Sequence, residues 1–260
     1  MNARWFTAIF LSSVCISFAQ TNVAEFEFRE GGIIRGSKDK KQIALEFTAD
    51  QFSDGGKIIL DEFARRHVKA SFFFTGNFFT NSANRKLAKR LVKEGHFLGP
   101  HSDKHLLYCP WDGPKKTLVT KDQFRRDLEE NLKKIEKLGV KRKQIKYWIP
   151  PYEHYNEEIV SWSRELGLTL INFTPGTRST ADYTEDDAKN FVPSKVIFDS
   201  ILKKEQEDPN GLNGFLLLTH FGVGPKRTGK FYNHLGALLD ELQKRGYEFV
   251  RVDELLSGRN

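Results

Sequence analysis

The sequence predicts an α/β domain built on a parallel sheet, and three observations carry that prediction. Seven short apolar runs of strand length recur between residues 43 and 252. Segments with helical periodicity separate most of them, and strand alternating with helix means right-handed βαβ units, which need parallel strands. Two connections, residues 102–121 and 174–193, are long, and long loops in such a fold shape binding sites. On these grounds alone the strands either close into an irregular barrel or lie in an open sheet.

Taken in order, residues 24–29 alternate as a half-buried strand should, and Gly31-Gly32 is a plausible two-residue turn into Ile33-Ile34-Arg35, so a hairpin opens the domain. The seven strands follow at Ile43–Phe47, Ala70–Phe74, His96–Leu98, Tyr147–Ile149, Thr169–Phe173, Phe215–Leu218 and Glu248–Val252. Helical periodicity covers Lys57–Arg66, Ser82–Lys93, Gln123–Leu138, Asn156–Leu166, Ser194–Lys204 and Tyr232–Arg245. No internal repeat or interdomain linker interrupts the pattern.

The first residues do not belong to that domain. Arg4 precedes an apolar run from Trp5 to Phe18, and Ser17-Phe18-Ala19 fits a small-x-small cleavage site. This predicts a signal peptide over 1–19, too short for a membrane span, and one domain over 20–260. An exported chain would be periplasmic or extracellular. Of the two cysteines, Cys15 lies in the leader and Cys109 stands alone, so no disulfide framework exists. With 39% hydrophobic residues, the mature chain must hold together by packing one sizeable core. The net charge of +7 is spread out with no run of five basic residues, which argues for a solvated surface and against nucleic acid as a partner.

Chemistry concentrates at strand ends. His101-Ser102-Asp103-Lys104-His105 carries two imidazoles four positions apart, which one helical turn would aim at a single divalent metal. The first strand runs into Ala49-Asp50-Gln51-Phe52-Ser53-Asp54-Gly55-Gly56, another ends in Ile149-Pro150-Pro151-Tyr152, and the sixth ends in Leu216-Leu217-Leu218-Thr219-His220. In this order and spacing the chain resembles the polysaccharide deacetylases of carbohydrate esterase family four, over roughly residues 33 to 256.

The resemblance implies a distorted (β/α) barrel of about seven parallel strands and one divalent metal, most commonly zinc. It also implies removal of acetyl groups from N- or O-acetylated oligo- or polysaccharides. His101 and His105 match the two imidazole ligands, with Asp50 as the third ligand and Asp54 as the runner-up for that place. His220 matches the general acid for the leaving group, and Leu218 the wall against the acetyl methyl. Pro151 and Tyr152 match the segment whose Tyr152 N–H helps hold the oxyanion. A histidine with a near-neutral pKa suits that acid role.

Two departures from the family pattern are linked. The family places two adjacent aspartates after its first strand, one of them the base, and here Ala49 or, shifted by one, Thr48 stands where that base belongs. The arginine that orients the base is replaced by Ile149, and an arginine without its carboxylate would be a poorly paired charge. Three outcomes stay open: Asp54 serves as substitute base, His220 works as both base and acid, or the protein binds carbohydrate without turning it over. Glu153, where the family commonly has Gly, is a further carboxylate beside the site. Trp111 and Tyr152 are candidates to stack on sugar rings, and Arg178 or Asp182 to orient His220. Asp103 is either a partner to a ligand imidazole or a plain loop residue. Trp148 and Trp162 read as core, and His67, His96, His154 and His234 have no spacing argument for a role.

Overall fold

The structure, a computed structural model, describes residues 26–257; the expected leader at 1–19 lies outside the described residues. Strands β1 (Glu27–Arg29) and β2 (Gly32–Arg35) form the expected hairpin, with Arg29 opposite Gly32. The turn is Glu30-Gly31, one residue earlier than the sequence suggests. Both turn residues have positive φ, 47° and 81°, the mirror-image geometry whose twist matches a hairpin. Gly32 is needed for packing instead: a Cβ there would stand 2.7 Å from Leu170 and from the Tyr155 hydroxyl.

The alternation then runs as expected through β3 (Gln42–Ala49), α1 (Gly56–Arg66), β4 (Ser71–Phe74), α2 (Ser82–Lys93), β5 (Phe97–Pro100) and α3 (Lys121–Glu136). It continues with β6 (Tyr147–Trp148), α4 (Glu157–Glu165), β7 (Thr169–Leu170) and α5 (Ser194–Glu207). The chain finishes with β8 (Phe215–His220), α6 (Leu235–Lys244), β9 (Glu248–Val250) and a single turn, α7 (Val252–Leu255). Helix starts follow local chemistry. The Asn81 side chain accepts from Ala83 N–H before α2, and Thr120 with Gln123 closes a capping box on α3. The helix expected from Tyr232 begins only at Leu235, after a 3₁₀ turn over Phe231–His234.

Strands β3 to β9 are parallel wherever they pair with one another. The main sheet runs β1-β2-β8-β3-β4-β5, with β9 beside the start of β3 and β6-β7 as a separate pair. Few bonds join the two sheets: Ile149 N–H to Pro100 O (3.4 Å) links β6 to β5, and Asn172 N–H to Ile33 O (2.8 Å) links β7 to β2. The result is a distorted barrel in which β2 runs antiparallel to β8, touching it through Arg35 and Phe215, and meets Ile171, just past β7, through a parallel bridge from Ile33.

Strand alternation sorts the side chains into two cores. Ile43, Leu45 and Phe47 of β3, with Phe72 and Phe74 of β4, face the helices; Ala44, Phe73, Leu216 and Leu218 fill the barrel. One inward position breaks the rule. Glu46 is fully buried, between apolar neighbours on its strand, and neither carboxylate oxygen has a hydrogen-bond partner.

Candidate active site

The C-terminal ends of β3, β5 and β8 and the loops after them surround a cavity of about 730 Å³. Its lining includes Asp50, His101, His105, Trp111, Tyr152, Glu153, Tyr183 and His220. Loops at this end are where a parallel β/α scaffold carries its chemistry. A larger cavity, about 1080 Å³, opens near the N-terminal ends of β5, β6 and β7 and contains none of the candidate residues.

The His101–His105 segment is not the helical turn its spacing suggests. It is a loop with Ser102 and His105 in the left-handed region, φ 69° and 56°, and its two rings lie 5.1 Å apart. Helix α3 holds that loop through polar residues on its buried face. Asn131 Oδ1 accepts from His101 N–H (3.0 Å), and the Asp127 carboxylate accepts from Asp103 N–H (2.9 Å) and Lys104 N–H (3.0 Å). Asp103 partners Lys134 at 2.5 Å and no imidazole, so it anchors the loop. Gly76 makes room for it, since a Cβ there would stand 1.6 Å from Asp103 Oδ1.

His101 Nδ1 lies 2.8 Å from Ile149 O, which makes it the donor and leaves Nε2 available. Burial and the neighbouring His105 hold the His101 ring well below the usual imidazole pKa. Burial and His220 also lower His105, against the pull of Asp50. Asp50 Oδ1 accepts from Thr75 Oγ1 (2.8 Å) and Asn77 Nδ2 (3.0 Å), leaving its other oxygen to face the cavity residues. Two neutral imidazoles and a carboxylate, each braced on its far side, are the donor types and outer bonds of a divalent-metal site. The trio stands open, however: among the described residues no three His, Cys, Asp or Glu side chains are grouped closely enough to hold an ion as they sit.

His220 ends β8 in register with Thr48 of β3. Asp182, buried in a 3₁₀ turn over Ser179–Tyr183, grips it twice: Oδ1 lies 2.6 Å from Nδ1, and Oδ2 accepts the His220 N–H at 2.9 Å. Burial works against a charged ring here, but the Asp182 charge and hydrogen bond, with the Glu153 charge, outweigh it and raise the His220 pKa. Nε2 is thereby left as the proton-bearing atom free to act. Of Arg178 and Asp182, it is Asp182 that orients His220.

Asp54 does not join this group. Its carboxylate accepts from the N–H groups of Val223 (2.9 Å) and Gly224 (3.2 Å) and from the Tyr232 hydroxyl (3.0 Å), and pairs with Lys230 (3.0 Å). It ties down the loop after β8 and is absent from the cavity lining, where a base would have to be. Those partners also hold its pKa down despite burial. Leu218 and Pro151 are buried and do not line the cavity; Leu218 sits in the barrel core below. Tyr152 and Trp111 do line it, exposed and 5.7 Å apart, with His154 stacked on Trp111 at 4.6 Å. Tyr152 has φ 60° and its ring lies 4.3 Å from that of His105. Phe52 and Tyr183, which the sequence did not single out, add two more exposed aromatics to the rim.

The polysaccharide deacetylase family profile matches residues 35–171, just over half of the sequence. The chain belongs to the polysaccharide deacetylase family. Among its relatives is the peptidoglycan-N-acetylglucosamine deacetylase PgdA of Listeria monocytogenes, 29% identical over 220 residues, 84% of this chain and 40% of that protein. The peptidoglycan-N-acetylmuramic acid deacetylase PdaA of Bacillus subtilis is 25% identical over 85% of this chain and 73% of its own length. The solved structure of a family 4 carbohydrate esterase pseudoenzyme from Bacillus anthracis superposes with TM-score 0.66 at 20% identity, covering 88% of this chain and 70% of that one. The family's fold is thus the fold described above. No helix among the described residues is long and apolar enough to cross a membrane.

Proposed function

We propose that this family member is an exported, metal-dependent hydrolase that removes acetyl groups from N- or O-acetylated carbohydrate. The observation that carries the reading is His220, held by buried Asp182, lining one cavity with His101, His105 and Asp50. Asp50, His101 and His105 would hold the metal, most simply zinc. When bound, the ion supplies positive charge to polarise the acyl oxygen and lowers the pKa of a water molecule.

The remaining steps belong to this chain's own groups. Trp111 and Tyr152 offer ring faces to a sugar at the mouth of the cavity. The Tyr152 N–H, which donates to no backbone acceptor among the described residues, would receive the oxyanion. His220, protonated by virtue of Asp182, gives its Nε2 proton to the departing amine or alkoxide. Asp54 takes no part in this reading.

A second reading is a carbohydrate-binding protein that turns nothing over. It is favoured by Ala49 and Ile149, which stand where the family has a base and its arginine, and by the likeness to a pseudoenzyme. Acetate release from a panel of N- and O-acetylated oligosaccharides, with metal-stripped and zinc-reloaded protein side by side, separates the two. Zinc-dependent release that His220→Ala abolishes supports hydrolysis. Binding of the same saccharides without release supports the second reading.

A further inference from the structure

The missing aspartate leaves the reaction without its usual proton acceptor, and the cavity contains one carboxylate that nothing else employs. Glu153 lines the cavity beside His220. Its backbone carbonyl accepts from Asn172 Nδ2 (2.7 Å), while no protein donor engages its carboxylate among the described residues. The backbone is costly for such a residue: Tyr152 and Glu153 are consecutive non-glycine residues with φ 60° and 53°. Glycine, common here in the family, would avoid that strain, so the side chain is present at a conformational cost. We propose that Glu153 is the general base that takes the proton from the attacking water, in place of the missing aspartate. The proposal rests on the deacetylase reading above.

The surroundings suit that task. Burial pushes the Glu153 carboxyl up to about 7, with His220 pulling it down and Asp182 pushing it up. A base poised there is both available and strong enough near neutral pH. Glu46, inside the barrel, feels the Glu153 charge and is held well above the carboxylate range by burial and then by that charge. The other titratable groups lining the cavity are Asp50, His101, His105, Glu185, Tyr152 and Tyr183.

The proton and bond count closes. Glu153 carboxylate takes one proton from water as the water oxygen bonds the acetyl carbon. The carbon–nitrogen or carbon–oxygen bond to the sugar then breaks, and the His220 proton goes to the leaving atom. The product leaves as acetic acid carrying the second hydrogen of the water, which it gives up to solvent as acetate, with Glu153 protonated and His220 neutral. One proton passed from Glu153 to His220 across the cavity they share restores both groups.

Glu153→Gln and Glu153→Gly test this in the zinc-loaded full chain, with zinc content and melting temperature measured on each variant. Glu153→Gln is expected to lower kcat by about 10²- to 10⁴-fold and to erase the acidic limb of the kcat/KM profile, with zinc content unchanged. Glu153→Gly, whose backbone is relaxed, is expected to be as stable as wild type and to regain activity when formate is added. Wild-type release with Glu153→Gln within tenfold of it and the acidic limb intact would overturn the base and leave the deacetylase reading standing. No release by wild-type protein from any saccharide would overturn the reading, and the base with it.

Discussion

Asp182→Asn keeps the shape of the side chain that holds His220 and removes its charge. The His220 backbone N–H is a fixed donor 2.9 Å from Oδ2, so the amide oxygen must face it and the amide nitrogen must face Nδ1. Two donors cannot share that contact, so Nδ1 becomes an acceptor and the ring is held neutral with its proton on Nε2. A hydrogen bond to a charged partner is worth about 1.5–3 kcal/mol. With Asp182 3% exposed, little of that is lost to solvent screening. At about 1.36 kcal/mol per tenfold, kcat near neutral pH is expected to fall about 10- to 150-fold. Because the Asp182 charge raises the His220 pKa in the folded protein, its stabilising effect is complete below the unfolded histidine value, about 6.5. It fades as pH rises through the folded value. The melting-temperature gap between wild type and variant should therefore be widest near pH 6 and narrow above it. The assay is an NMR titration of the His220 ring in both proteins, with acetate release followed against pH. A ring that titrates in the variant at or above its wild-type midpoint, with kcat within threefold, would refute the role assigned to Asp182.

Other perturbations follow from the same geometry. His101→Ala or His105→Ala should weaken zinc binding by at least about 100-fold, read as zinc retained after dialysis; full retention would remove both from the ligand set. Asp54→Ala should cost about 1–3 kcal/mol of stability after allowance for its exposure, while acetate release at room temperature stays within about tenfold of wild type. Complete loss of release in folded Asp54→Ala would restore it as the base. Glu46→Gln removes a buried group that binds its proton more tightly folded than unfolded. Wild-type stability therefore falls as pH rises above the unfolded carboxylate value, and the variant should melt higher than wild type at pH 8, with the gap closing toward pH 4. Equal melting temperatures at pH 8 would show Glu46 to be compensated.

The alternation of strands and helices was legible because apolar periodicity is a local signal, and β3, β4 and α2 fall within two residues of their expected bounds. The turn was misplaced because Gly31 and Gly32 look alike in sequence, and only packing shows that Gly32 fills a tight contact with Tyr155. His101, His105, His220 and Asp50 were visible as residues at strand ends, and the cavity brings them together. Asp54 could not be separated from Asp50 by spacing alone, since its fate depends on Val223, Gly224 and Lys230, about 170 residues away. Asp182 could not be told from Arg178 because its partner lies 38 residues on. Glu46 has its signal in the sequence, a charge within the apolar run from Ile43 to Phe47.

Strand β2, antiparallel to β8 and parallel to the segment after β7, gives the barrel a seam. Its backbone pairing to the ring is one ladder pair with β8 and one bridge at Ile171, against six pairs between β3 and β8. Such a stave cannot dock until β7 and β8, over 130 residues later in sequence, already stand side by side. Closing so long a loop costs entropy before its contacts repay it. Side chains make up for the short ladder: the buried Arg35 guanidinium donates to Asp208 and to the carbonyls of Gly211 and Asn213, and the Thr174 hydroxyl donates to Ile34 O. Closure of the barrel at β2 thus depends on polar side chains as well as on the backbone bond from the Asn172 amide to Ile33, so Arg35 is a latch of the barrel wall and not a surface charge.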